Sequence, residues 1–340
     1  MFSALKQLLF PTSPSTPPAV GKRPAPGGRK YRPADVEGVT IRMSPADIDA
    51  AFYDLMLGVQ STPDCKPNTF ETRALRELDR LLASDIHHSS LVPRLPAVIP
   101  RIMSTLRDQE SSTTELAIEL GRDAVLVGEV IRLSNSPYYR AGKEITSLER
   151  AVFTLGRTGI RQLVVHAAFK PLINLNAGHF TGLSGPLLWE QSEKTALACD
   201  CMASKEKADR FNAYLMAIVQ NVGLTVALQM LDHTFDGREA PHSQHFRDQL
   251  MRSSRLLSLM IARQWTFPPA VLDALEAQIE LHDLTKLSTL GTILYLSDKL
   301  AKLHTLSCQR RVSSEVRPDI PVPLLHLSQY CRDCYDRLSV

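Results

Sequence analysis

Few residues in this chain are spaced for chemistry. Cys331-Arg-Asp-Cys334 has the spacing of half a zinc site, where two thiolates separated by two residues grip one ion. A second Cys or His pair would complete the tetrahedron, and none follows. His87 and His88 are adjacent, and neighbouring side chains on a helix point apart. They read as an exposed pair rather than as metal ligands. His166, inside Leu163-Val-Val-His-Ala-Ala168, lies on an apolar face and reads as a core histidine. No Gly-rich phosphate loop, nucleophile elbow or complete Cys/His zinc pattern occurs.

Nucleic acid is the next chemistry to weigh. From Thr114 to Arg132 two short helices flank a Gly turn, as in a helix-turn-helix. A recognition helix must turn cationic or amide groups toward the groove, and this one offers Asp123 and Glu129 against Arg132. The net charge of +3 is also unevenly placed. Residues 1–33 hold six of the 39 basic groups and no acidic one, so residues 34–340 carry a net −3. That balance argues against a nucleic-acid binder. The basic segment reads as a solvated linker, with contact to acidic lipid or a partner as the alternative.

The elements that must position any site are helical. The 340 residues are 44% apolar and 22% charged, enough for one large domain or two small ones. No run approaches the roughly 18 uninterrupted apolar residues of a membrane span. Met1 to Phe10 lacks the order of a secretory signal. The six cysteines are scattered, as reduced thiols in a cytoplasmic protein would be. Seven prolines in residues 11–33 predict a disordered or extended segment. The expected organisation is a flexible basic segment over 1–40, a helical arm over 41–90, a main domain over 91–306 and a helix-bearing extension over 307–340. Ser44-Pro45 and Asn68 with Glu71 supply start signals for the arm's two helices. In the main domain helices are predicted at 97–107, 113–121, 124–134, 147–155 and 157–170, with Thr146 and Glu149 as a capping box. After a Gly-rich loop (Gly178, Gly182, Gly185) come 186–204, 209–231, 245–265, 268–280 and 285–305, and a last helix at 323–338. Strand alternation is absent, so the class is all-α.

From Leu95 to about Leu303 the chain resembles an HDOD domain, a bacterial output domain related to the HD-type metal phosphohydrolases. Pro93-Arg-Leu-Pro96, Glu115-Leu-Ala, Arg122-Asp123, Val130-Ile-Arg-Leu-Ser-Asn-Ser-Pro-Tyr138, Ile145-Thr-Ser-Leu-Glu-Arg-Ala-Val, Leu155-Gly156 and Trp189 carry it. Phe52-Tyr-Asp-Leu-Met-Leu-Gly58 is similar to the lead-in of some members. In the HD superfamily a histidine, a His-Asp pair and a later Asp converge on metal that activates water. By this resemblance the first histidine is replaced by Gln191, the pair by Gln220-Asn221, and the last ligand survives as Asp298 beside Lys299, read as a structural or surface residue. Amides lack the ring nitrogen and charge of the ligands they replace, and would hydrogen-bond one another instead.

The resulting expectation is a cytoplasmic, bacterial signal-transduction protein without catalytic activity, cofactor or metal, acting on other signalling proteins. Its candidate surfaces are the turn Asn135, Ser136, Tyr138 and Tyr139, where adjacent aromatics could anchor a partner, and the groove over Gln191, Gln220 and Asn221. In a purely structural reading of the turn, Asn135 and Ser136 cap the helix and Tyr138 packs into the core. The alternatives are a nucleotide sensor or residual metal-dependent phosphohydrolase, and a DNA-binding regulator.

Overall fold

Side-chain caps start most of the helices. The computed structural model describes residues 41–62, 65–86, 89–95, 98–100, 120–121, 124–137, 139, 142, 144–175 and 177–338. His87, His88, Tyr138 and most of the expected helices at 97–107 and 113–121 lie outside them, as does the first helix of the helix-turn-helix pattern. The first helix, α1 (Pro45–Leu57), begins where the Ser44 hydroxyl accepts from the Asp47 amide. The second, α2 (Thr69–Ala83), has the reciprocal capping box of Asn68 and Glu71. Glu71 is fully buried and also accepts the amides of His242 and Ser243, tying α2 to a distant loop.

Next come α3 (Ala124–Ser134) and α4 (Leu148–Ile173), the latter kinked at Gly156, whose φ of 65° suits glycine. The α4 cap is Ser147 rather than Thr146: the Ser147 hydroxyl accepts from the Arg150 amide. Along α4, His166 is buried, pairs through Nε2 with Glu193 and stands edge-on to Trp189.

The Gly-rich stretch is helix, not loop, because α5 runs His179–Lys205. Asp232 caps it from outside, accepting from the amides of Phe180 and Thr181 and from the Thr181 hydroxyl. Gly185 allows a close approach, since a Cβ there would overlap the Leu175 carbonyl. The expected helix at 209–231 is broken into α6 (Arg210–Val219) and α7 (Val222–Thr234). Then follow α8 (Gln244–Gln264), α9 (Pro269–Glu276), α10 (Thr289–Cys308) and α11 (Ser328–Arg337). The last expected helix starts late because Val322–Leu327 is a 3₁₀ turn.

Arg42–Met43 and Arg317–Pro318 form a two-residue parallel ribbon, β1 and β2. The class is all-α. One buried hydrophobic cluster runs through the helices. Within it α5 packs on α10 and α6, α8 on α7 and α2, and α1 on α10. The stretch Arg210–Thr234 is apolar and long enough to cross a membrane, but 89% of its most apolar window is buried inside the fold.

Candidate functional site

The break between α6 and α7 creates the site. At Asn221 the backbone (φ −97°, ψ −2°) leaves the helix run and turns the side chain inward toward α5. The Asn221 amide donates to Gln191 Oε1 at 2.5 Å and to Ser192 Oγ at 2.8 Å. Gln191 in turn donates to Thr195 Oγ1 at 2.9 Å and to Asp298 Oδ1 on α10 at 2.8 Å. Gln191, Ser192 and Thr195 are fully buried, and Asn221 and Asp298 nearly so. Three of the four positions singled out by the resemblance, Gln191, Asn221 and Asp298, thus form one chain of hydrogen bonds. The fourth, Gln220, lines a small cavity with Asn221 and Asp298, and its Nε2 has no partner among the described residues.

Asp298 is buried, which corrects any reading of it as a surface group. Its Oδ2 accepts from Lys299 Nζ at 3.0 Å and lies 2.8 Å from Lys302 Nζ. Both ammonium groups also reach Asp49 on α1: Lys299 donates to each oxygen at 2.7 Å and Lys302 to Oδ1 at 2.8 Å. The Arg255 guanidinium on α8 stands 3.6 Å from the same carboxylate. Two carboxylates and two ammonium groups are therefore interleaved out of water, with a third cation at the edge. Burial acts to raise the pKa of both aspartates, but the lysines outweigh it and hold each below the usual carboxylate range. Burial acts to lower the pKa of Lys302, and Asp298 and Asp49 overcome it and hold it above the usual range.

These residues do not fit a divalent ion. A metal needs lone pairs, and Gln191 presents an N–H to Asp298. The remaining Asp298 oxygen faces two ammonium groups. Among the described residues no group of three or more His, Cys, Asp or Glu is arranged to hold a metal. A partly open cavity of about 30 Å³ lies beside the cluster, room for a water-sized occupant. Tyr53 of α1 lines it together with Arg255, Ser258 and Gln278.

Asn135, Ser136 and Tyr139 form none of the hydrogen bonds of this network. Asn135 faces inward: its amide donates to the carbonyls of Ile131 and Ile145, and its Oδ1 accepts the Ile145 amide at 2.8 Å. Ser136 is half-buried and its backbone amide closes on the Leu133 carbonyl. Tyr139 is half-buried against the core, and Pro137 is exposed.

Asp49, Arg255 and Lys302 escaped the sequence reading, Lys299 was noted only as the neighbour of Asp298, and Tyr53 only within the Phe52–Gly58 stretch. The signal for the lysines was present: they lie one and four residues after Asp298 in an otherwise apolar helix, which sets Lys302 on the Asp298 face.

Residues 92–281 match the HDOD domain. No curated protein matches the sequence. Among solved structures, the chain is similar to an HDOD domain protein of Geobacter sulfurreducens, at 20% identity and TM-score 0.52, covering 78% of this chain and 89% of that one. A protein of Shewanella amazonensis SB2B named as a candidate metal-dependent phosphohydrolase gives 19% and 0.57, covering 80% and 98%. A candidate signal transduction protein of Marinobacter aquaeolei VT8 gives 17% and 0.53, covering 87% and 65%. At these identities the likeness is one of fold.

Proposed function

The chain belongs to the HDOD domain family, and from that premise we propose that it is a cytoplasmic signal-transduction protein that binds other proteins and catalyses nothing itself. One observation carries the reading. The last carboxylate at the vestigial position, Asp298, is saturated by Gln191, Lys299 and Lys302, and α1 adds Asp49 to the cluster. An incoming metal ion would have to displace two buried ammonium groups, each already neutralised at short range. With hydrolysis set aside, the scaffold itself is what remains to act. Other signalling proteins are its partners, and the Asn135–Tyr139 turn and the ground around this cluster are the surfaces assigned to them.

The nucleotide-sensor alternative loses support from the cavity, which at about 30 Å³ holds little more than a water molecule. The DNA-binding alternative is opposed by the net negative charge of residues 34–340.

The test combines elemental analysis, Mn²⁺-dependent thermal stabilisation and hydrolysis of bis(4-nitrophenyl) phosphate on purified protein. A metal that binds only the folded state must raise Tm by mass action. The expected result is no stoichiometric metal, no Tm shift and no turnover. A bound ion with metal-dependent turnover overturns the non-catalytic reading. Partner binding is then checked by capture from the native host, with Tyr139→Ala as the variant expected to lose it.

A further inference from the structure

A second and larger cavity, about 360 Å³, opens where the β1–β2 ribbon meets α10 and α11. Every residue lining it lies outside 92–281, so the family match gives it no role. Its floor is apolar, built from Leu300, Ile320 and Tyr335, with Leu300 and Tyr335 almost fully buried. Burial pushes the Cys331 thiol beside them up to about 12, so that it adds a neutral wall. Three arginines, Arg42, Arg317 and Arg332, also line the cavity.

Those cations are poorly compensated. Arg42 faces Asp319 at 3.6 Å, with both side chains more than half exposed. Neither Arg317 nor Arg332 forms a salt bridge among the described residues. Arg317 is nonetheless held in place, stacked over the Tyr335 ring at 5.2 Å and donating to the Ser314 carbonyl at 2.7 Å. Its Nη1 also donates to the Val316 carbonyl at 3.1 Å, so the Nε and Nη2 donors of this fixed guanidinium are the pair that would meet an oxyanion. The volume falls in the ~300–1,000 Å³ range of small-molecule sites.

We propose that this cleft binds a small amphipathic anion: an apolar chain or ring seated on Leu300, Ile320 and Tyr335, with a single carboxylate, sulfonate or phosphate head on Arg317, Arg332 and Arg42. The head alone would gain only exposed charge pairs, and the tail alone would leave the cations unmatched. Binding therefore needs both parts. The site is separate from the Asp49–Asp298 cluster, and the proposal stands whether or not that cluster is inert.

The probe is 8-anilinonaphthalene-1-sulfonate, which carries an apolar ring system and one sulfonate, titrated into the full chain by fluorescence. The expected result is saturable one-to-one binding, displaced by decanoate but not by acetate or by octanol at matched concentration. Arg332→Glu changes an exposed residue, and Leu325→Glu a half-exposed one at the mouth, so both should leave the circular dichroism spectrum unchanged. Each is expected to weaken binding by about tenfold or more, the loss of one charge-assisted contact or of apolar area. Equal displacement by octanol, unchanged affinity in Arg332→Glu, or non-saturating fluorescence each overturns the proposal. So does binding of an acidic peptide at this cleft with no affinity for the probe.

Discussion

Lys299 Nζ donates to both carboxylate oxygens of Asp49, at 2.7 Å each, across 250 residues of sequence. This contact joins α1, ahead of the HDOD match, to α10, beyond its end. It also ties Asp49 to the ammonium groups that hold Asp298. Two ammonium groups of the chain itself balance the two carboxylates.

Removing Asp49 should therefore be costly. Asp49→Asn leaves Lys299, Lys302 and Arg255 facing Asp298 alone. Breaking a buried pair from one side costs about 3–5 kcal/mol, because an uncompensated charge stays behind. Urea denaturation measures the loss. The double variant Asp49→Leu/Lys299→Met should recover much of it, since one charge of each sign is removed and Lys302, Arg255 and Asp298 keep the net charge of the original cluster. A single-variant cost under about 1 kcal/mol would mean that the cluster is solvated.

The pH dependence has a definite sign. Asp49 and Asp298 have folded pKa values below the unfolded 3.8, so their contribution is present above that value and is lost as pH falls below it. Lys302 is raised above its unfolded 10.5, so its contribution is complete below that value and is lost as pH rises through the folded pKa. Stability from the cluster should be flat between about pH 5 and 9 and fall on both sides. Urea midpoints measured across pH test this, and Asp49→Asn should show a shallower acid limb. An acid limb identical in the variant would remove Asp49 from the account.

Restoring ligand types should not restore metal binding. Gln191→His with Gln220→His and Asn221→Asp supplies two imidazoles and a carboxylate around Asp298. Lys299 and Lys302 still hold Asp298 Oδ2 and Asp49. The triple variant is expected to bind no Mn²⁺ by electron paramagnetic resonance, whereas adding Lys302→Met should permit binding. Tight binding by the triple variant alone would show that the ammonium groups yield readily.

Local signals in this chain were readable from the sequence, and long-range ones were not. Ser44, Asn68 and Glu71 act within one helical turn, so their residue types announced α1 and α2. The amides at 191 and 221 pointed to mutual hydrogen bonds, which the geometry contains. The α6–α7 break was hidden because Ala217 to Leu224 is apolar on both sides of it, and the groups that hold the turn, Gln191, Ser192 and Ser258, are distant in sequence. Gly182 and Gly185 read as a loop because the cap that permits a helix there, Asp232, is some 50 residues away. Asp49 fell on a helix whose spacing revealed its apolar face but not the distant lysines that face it.

Asn135 separates structure from recognition in the candidate turn. Its side chain serves both the N–H and the C=O of Ile145, which is itself buried. Asn135→Ala leaves both groups unmet and should cost about 1–3 kcal/mol. Tyr139→Ala should cost less, because that ring is only half-buried. If the turn binds a partner, Tyr139→Ala should weaken binding without a matching fall in Tm, while in Asn135→Ala the two fall together. Equal Tm losses would make Tyr139 a packing residue instead.

Gly223 tests how tightly the site is framed. It follows Asn221 by two residues and lies where α7 crosses α8. A Cβ at this position would overlap the Ser254 carbonyl and the Ser258 backbone nitrogen, and would crowd the Ser258 hydroxyl at 2.7 Å. That hydroxyl accepts the Gly223 amide at 2.9 Å and donates to the Gln220 carbonyl at 2.6 Å, clamping the turn that carries both vestigial amides. In an unconstrained helix Gly→Ala would gain about 1 kcal/mol of propensity. Here backbone meets backbone, so the helices must part, and overpacking of this kind costs about 3 kcal/mol. Gly223→Ala should therefore be destabilised in urea and should loosen the Asn221–Gln191 bond, read as faster amide hydrogen exchange at the start of α7. A neutral or stabilising effect would mean that α7 and α8 can separate freely, and that the geometry around Asn221 is held by its own hydrogen bonds alone.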